Sequence, residues 1–225
     1  MLKNKIVITS AIRTAVGSLG KTLKNTPAYN LGSAVISESI NISKVNKDEI
    51  DEIIMGQVLT GGAGQNPARQ AAIASGIPKE KPAYVVNQVC GSGIRSIASG
   101  FQSLNAGDSK IVIAGGQENM SLAPHAIHLR DGKKLGDANI TDTMIKDGLW
   151  DAFYNYHMGV TAENVAEKFQ VTREEQDRFA LKSQEKALKA QKENKFKNEI
   201  VNFKIKSKNA QIDFNQDEHR SEERR

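Results

Sequence analysis

The 225-residue sequence has little of several things: one cysteine, one tryptophan, four histidines, five prolines, and only 5% aromatic residues. A single thiol excludes an intramolecular disulfide framework and fits a reducing compartment. It also removes the Cys/His spacing that metal sites use, and His125 and His128, three residues apart, come with no third ligand, so no metal is expected. No apolar stretch is long enough to span a bilayer, and the opening run Ile6-Val7-Ile8 is too short for the core of a secretion signal. These absences point to a soluble, cytoplasmic protein with no membrane partner. Internal repeats and low-complexity tracts are also missing.

Hydrophobic residues make up 39% of the chain, enough to bury the core of one large domain or two smaller ones. The net charge of +5 comes largely from residues 182–225, where bases alternate with acids. That mixture reads as a solvated helical face rather than a nucleic-acid footprint.

Up to about Met120, apolar strand-like segments alternate with helix-period segments and glycine turns, the pattern of an α/β sheet covered by helices. Ile6-Val7-Ile8-Thr9 reads as a strand. A helix follows Pro27, with Leu31, Ala34 and Val35 at helical spacing, and strand character returns at 52–58. Gly61-Gly62-Ala63-Gly64-Gln65-Asn66-Pro67 lacks the Lys-Ser/Thr ending of a phosphate loop. It reads instead as an N-cap at Asn66 and a first helical residue at Pro67, with Gly76 and Pro78 ending the helix. Periodicity weakens over 121–156, which reads as an excursion from the sheet domain. A helix from about Thr161 follows, then another behind the capping-box sequence Thr172-Arg173-Glu174-Glu175, and Val201, Phe203 and Ile205 mark a half-buried strand. This gives a division into an α/β core, 1–120, and an inserted lobe, 121–225.

The most informative stretch is Asn87-Gln88-Val89-Cys90-Gly91-Ser92-Gly93, behind the apolar Ala83-Tyr84-Val85-Val86. A strand stops at the cysteine, small residues turn the chain, and a helix begins whose buried face is expected at Ile94, Ile97, Ala98, Phe101 and Leu104. A thiol at a helix start sits near free N–H groups and the positive end of the helix dipole, which favour thiolate, and its own N–H can face a developing oxyanion. The alternative for Cys90 is the usual one for an unpaired cysteine, a small buried hydrophobe.

These residues resemble the nucleophile signature of the thiolase family, and four further stretches resemble family landmarks in family order. They are Ile12-Arg13-Thr14-Ala15-Val16-Gly17, Gly64-Gln65-Asn66-Pro67-Ala68-Arg69-Gln70, Ala114-Gly115-Gly116-Gln117-Glu118-Asn119-Met120-Ser121 and His157-Met158-Gly159-Val160-Thr161-Ala162-Glu163-Asn164. The resemblance is closest to the acetyl-CoA acetyltransferase branch. It implies the amino-terminal half of a layered αβαβα fold, a mixed sheet with helices plus an inserted loop lobe. It implies that Cys90 accepts an acyl group from acyl-CoA, for Claisen condensation of two acetyl-CoA or the reverse thiolysis of a 3-ketoacyl-CoA. His157 and Met158 would then line the pantetheine and acyl pocket, although a histidine is as readily a hydrogen-bonded structural residue and a methionine a gap filler. Coenzyme A thioesters would be substrates with no permanently bound cofactor, and a homo-oligomer, dimer or tetramer, would be expected of the complete protein.

The sequence departs from the family in two ways. The resemblance implies a second half with an activating histidine, a second cysteine and an oxyanion-hole asparagine, none of which has a counterpart here. At Asp217-Glu218-His219-Arg220 the arginine stands one residue too near the acidic pair, so the nucleotide-contacting role is not carried to Arg220. The sequence reading is therefore of a truncated, frame-disrupted or split thiolase with little turnover of its own. The alternatives are a non-catalytic fragment that binds coenzyme A or dimerises, and a decarboxylating condensing enzyme, which the residues around Cys90 disfavour.

Overall fold

The computed structural model describes residues 5–206 and 211–218. Its centre is a three-stranded parallel sheet in the order β3-β2-β4, formed by β2 (Glu52–Gly56), β3 (Ala83–Val86) and β4 (Val112–Gly116). Ile53 pairs with Ala83 on one side and Ile113 on the other. Ile53, Ile54 and Met55 are all buried, as expected of a central strand covered on both faces.

Helices α1 (Ala28–Ser43) and α2 (Pro67–Ala74) pack together over one face, where Ile36, Ile40, Ala71 and Ala72 form a core with Ile53 and Met55. Helix α3 (Ser92–Ala106) packs against β2 and β4. The turn chemistry expected around α2 is present: the Asn66 side chain accepts from the Arg69 N–H, Pro67 opens the helix, and Gly76 adopts φ +82° just beyond it.

Two expectations are corrected. Residues 6–9 are extended but belong to no ladder, and the first strand is instead β1 (Arg13–Thr14). Alternation and β-branching favour an extended chain, but a strand also needs a hydrogen-bonded neighbour; the edge of β4 lies across a cavity from this segment.

The second correction concerns α3. Its buried residues are Ser92, Ser96 and Gly100, while Ile94, Ile97 and Phe101 are 78%, 50% and 44% exposed. The helix approaches the sheet too closely for large side chains: a Cβ on Gly100 would lie 3.0 Å from Val112 Cγ1, and the Ser96 hydroxyl donates to the Gly115 carbonyl at 2.6 Å. Small residues meet the sheet, and the apolar stripe marks a different face.

Residues 121–157 hold two small hairpins, β5 (His125–Ala126) with β6 (Thr141–Asp142) and β7 (Trp150–Asp151) with β8 (Tyr156–His157), with α4 (Thr143–Gly148) between them. Then come α5 (Met158–Lys168) and α6 (Arg173–Lys192), the latter opened by a complete Thr172/Glu175 capping box and carrying no buried residue. Strand β9 (Ile200–Val201) returns to pair in parallel with β1, and β10 (Phe203–Lys206) pairs with β11 (Gln211–Phe214). Phe214 joins Ala15, Leu23 and Leu31 in a second core. No helix of the described residues is long and apolar enough to cross a membrane. Arg220 lies outside the described residues.

Candidate functional site

Parallel strands deliver their carboxyl ends to one edge of a sheet, and the loops leaving that edge are where α/β proteins place ligand sites. Cys90 lies there, between the end of β3 and the first turn of α3, and is exposed. Its reading as a small buried hydrophobe is thereby excluded.

The turn that carries it is tightly held. The Ser92 hydroxyl donates to the Val89 carbonyl at 2.6 Å and accepts from the Gln88 N–H at 2.8 Å. Asn87 Oδ1 accepts from the Val89 N–H at 2.9 Å, and the Gly91 N–H donates to the Gln88 carbonyl. Val89 has φ +48°. The left-handed region is unfavourable for a β-branched side chain, and such strain persists only where the surroundings fix it.

Glycines let this turn sit against the sheet. A Cβ on Gly56, the last residue of β2, would collide with the Ser92 carbonyl carbon and lie 2.6 Å from Gly93 N. Gly116, at the end of β4, would bring a Cβ to 3.4 Å from Gly93 Cα. Two adjacent strand ends therefore support the start of α3, and the register of the sheet fixes the height of Cys90 above it.

A polar network beside the turn was not identified as a unit from sequence. Gln117 Nε2 donates to Gln57 Oε1 at 2.9 Å, and Gln57 Nε2 donates to the Leu59 carbonyl at 3.0 Å. Glu118 Oε2 accepts from the Val58 and Leu59 N–H groups at 2.8 and 3.2 Å. Burial raises the Glu118 carboxyl above its ordinary range, against the lowering effect of hydrogen bonds from Val58, Leu59 and Asn119. The available signal was a polar pair, Gln117-Glu118, directly behind the end of a buried strand.

His157 and Met158 lie at the start of α5. His157 is exposed and caps that helix, its Nδ1 accepting from the Gly159 N–H at 2.9 Å, and Met158 is 44% exposed. Two cavities, of about 750 and 340 Å³, are lined by other residues, so neither unites Cys90, His157 and Met158. His125 is exposed on β5, 3.9 Å from Asp142. Among the described residues no group of three or more His, Cys, Asp or Glu side chains is arranged to hold a metal ion.

The parallel sheet thus presents an exposed thiol beside a strained turn, at the start of a helix. The chain belongs to the thiolase family: the model of the family's amino-terminal domain matches residues 6–224. It is 55% identical over 219 residues to an acetyl-CoA acetyltransferase of Rhizobium meliloti, covering 97% of this chain and 56% of that one. It is 49% identical to a cytosolic acetyl-CoA acetyltransferase of Rattus norvegicus, covering 95% and 54%. The crystal structure of the Bacillus anthracis acetyl-CoA acetyltransferase superimposes with a TM-score of 0.92 at 38% identity, covering 96% of this chain and 55% of that one. The chain thus spans about half the length of the curated relatives it matches.

Proposed function

We propose that this chain is the nucleophile-bearing part of an acetyl-CoA acetyltransferase and that Cys90 is its acyl acceptor. The observation that carries the reading is the exposed Cys90 on a turn braced by Ser92 and strained at Val89. In the first half-reaction the Cys90 sulfur attacks the thioester carbonyl of an acyl-CoA, the tetrahedral adduct collapses, and coenzyme A thiolate leaves. In the second, the α-carbanion of acetyl-CoA attacks the acyl-cysteine and releases the Cys90 sulfur. In reverse, coenzyme A cleaves a 3-ketoacyl-CoA.

His157 and Met158 are proposed to line the pocket for the pantetheine arm and acyl group. The side chain of His157 fixes the first turn of α5, and Met158 offers a half-exposed apolar surface next to it. The division at residue 120 is proposed as well: a sheet core, and a lobe from which strand β9 returns to pair with Arg13 and Thr14. Coenzyme A thioesters serve as substrates with no resident cofactor, the protein is cytoplasmic, and the complete assembly is a homo-oligomer.

A second reading, a chain with binding or dimerising capacity only, is favoured by the two cavities, neither of which unites Cys90, His157 and Met158. Isotope exchange between acetyl-CoA and labelled coenzyme A separates the two, because it requires only the first half-reaction. Exchange that disappears in Cys90→Ser supports acyl transfer. Exchange equal in both proteins, or in neither, favours the second. Net acetoacetyl-CoA thiolysis by the 225 residues alone is expected to be very low, since a nucleophile without its base loses orders of magnitude in rate.

A further inference from the structure

The carboxyl of Glu118 holds a loop that in turn holds the nucleophile turn. Its Oε2 accepts from the Val58 and Leu59 N–H groups, at 2.8 and 3.2 Å, just beyond the end of β2. The Leu59 N–H and the Val58 carbonyl belong to one planar peptide unit. At the other end of that unit, Asn87 Nδ2 donates to the Val58 carbonyl at 3.5 Å, and Asn87 Oδ1 accepts from the Val89 N–H at 2.9 Å. The path therefore runs from the end of β4, across the end of β2, to the residue before Cys90. Each hydrogen bond polarises the next, so an acceptor at Glu118 strengthens the amide contacts along the path.

The neighbours of this path are fixed by other bonds. Gln117 Nε2 donates to Gln57 Oε1, and the Gln57 N–H donates to the Val86 carbonyl at 3.1 Å. These keep the three strand ends together and leave the Val58–Leu59 peptide to the Glu118 carboxyl. The far end of the path is the strained point of the site: Val89 has φ +48°, which a β-branched residue keeps only where its surroundings hold it. Burying a carboxyl costs stability, so the fold alone does not call for one here. Asp51 offers the matching arrangement at the amino ends of β2 and β4, accepting from the Lys110 and Ile111 N–H groups at 2.6 and 3.0 Å, away from the nucleophile turn.

We propose that Glu118 is a positioning residue for Cys90, acting through the Val58–Leu59 peptide and Asn87 to hold Val89 in the conformation that aims the thiol. The inference rests on the reading of Cys90 as acyl acceptor. Glu118 takes no part in the covalent step; it supplies an acceptor whose geometry reaches the nucleophile through two other residues.

The test is the rate at which acetyl-CoA acetylates Cys90 of the 225-residue chain, followed by peptide mass spectrometry, with amide exchange at Val89 read in parallel. Glu118→Ala removes the acceptor and should slow acetylation about tenfold while Val89 exchanges faster. Glu118→Gln keeps an acceptor for both amides and should stay within about twofold of the parent rate. Asn87→Ser keeps an oxygen for the Val89 N–H but is too short to reach Val58. It should acetylate as slowly as Glu118→Ala, and the double variant no more slowly than either. Asn87 is exposed, so its variant reads the path even if Glu118→Ala does not fold. Asp51→Ala removes the matching carboxylate and should lower the melting temperature while acetylation keeps the parent rate. Equal slowing in Asp51→Ala, multiplied losses in the double variant, a Glu118→Gln chain as slow as Glu118→Ala, or a parent-like rate in Asn87→Ser each overturns the proposal. A parent chain whose Cys90 takes up no acetyl group removes the acyl-acceptor reading itself and the inference with it, a result distinct from variants that match an acetylated parent.

Discussion

Arg13 and Asp217, 204 residues apart in sequence, meet in a two-point ion pair, with Nη1 to Oδ1 at 2.7 Å and Nη2 to Oδ2 at 3.1 Å. Asp217 Oδ1 also accepts from the Val16 N–H, and Arg13 Nε reaches Glu199 at 2.7 Å. The far end of the described chain is thereby fastened beside β1. Burial opposes ionisation of Asp217, but the hydrogen bonds from Arg13 and Val16 and the arginine charge outweigh it and hold the carboxyl below its ordinary range. Stability from this pair is complete above the ordinary aspartate value and is lost as pH falls through the lowered one. Asp217→Asn should cost about 1–2 kcal/mol at neutral pH in urea titrations. The difference from the parent chain should shrink as the solution is made strongly acidic.

Glu118 should show the opposite slope. Its raised carboxyl means that the folded chain holds this proton more tightly than the unfolded chain does. Its contribution is therefore fully present below the ordinary glutamate value and is lost as pH rises through the raised one. Glu118→Gln keeps an acceptor for the Val58 and Leu59 amides and removes the buried charge. Stability curves of the two proteins should run together at low pH and separate above the ordinary glutamate range, with the Gln variant the more stable. Parallel curves would contradict this.

The sheet that places Cys90 was legible in the sequence wherever local chemistry decides the outcome. The cap at Asn66, the capping box at Thr172 and the buried run Ile53-Ile54-Met55 all appear where their residues require. Two features depended on relations between distant segments. Ile6-Val7-Ile8 has strand composition without a strand partner, because pairing is a property of two segments. The apolar stripe of α3 marks an expected buried face, although Ser92, Ser96 and Gly100 are the residues buried there. Close approach selects small residues, and periodicity alone cannot tell which of two faces a sheet will take. The exposure of Cys90 likewise came from the turn geometry, since a lone cysteine is ordinarily buried.

The glycine at the end of β2 should be intolerant of a side chain. Gly56→Ala forces a Cβ against the backbone of Ser92 and Gly93, neither of which can rotate away. The expected cost is about 1–3 kcal/mol. Gly93→Ala is the matched control: nothing lies within 4 Å of its Cβ position, and alanine favours the helix. Denaturation midpoints for the pair should therefore move in opposite directions.

The braced turn predicts a further contrast. Ser92→Ala leaves the Gln88 N–H without its acceptor and should cost about 1–3 kcal/mol. Val89→Gly removes a β-branched side chain from the left-handed region and should recover about 1 kcal/mol of strain. Amide exchange across residues 87–92 reads both changes, faster in the first variant and no faster than the parent at Gln88 in the second.

The most direct test of acyl transfer is to find the acyl group. The chain is incubated with acetyl-CoA, quenched in acid and mapped by peptide mass spectrometry, with Cys90→Ser in parallel. The result expected is one acetyl group on Cys90 of the 225-residue chain, released by neutral hydroxylamine and absent from the variant. An unmodified Cys90, or acetyl groups on lysines alone, would contradict the assignment of Cys90 as the acyl acceptor.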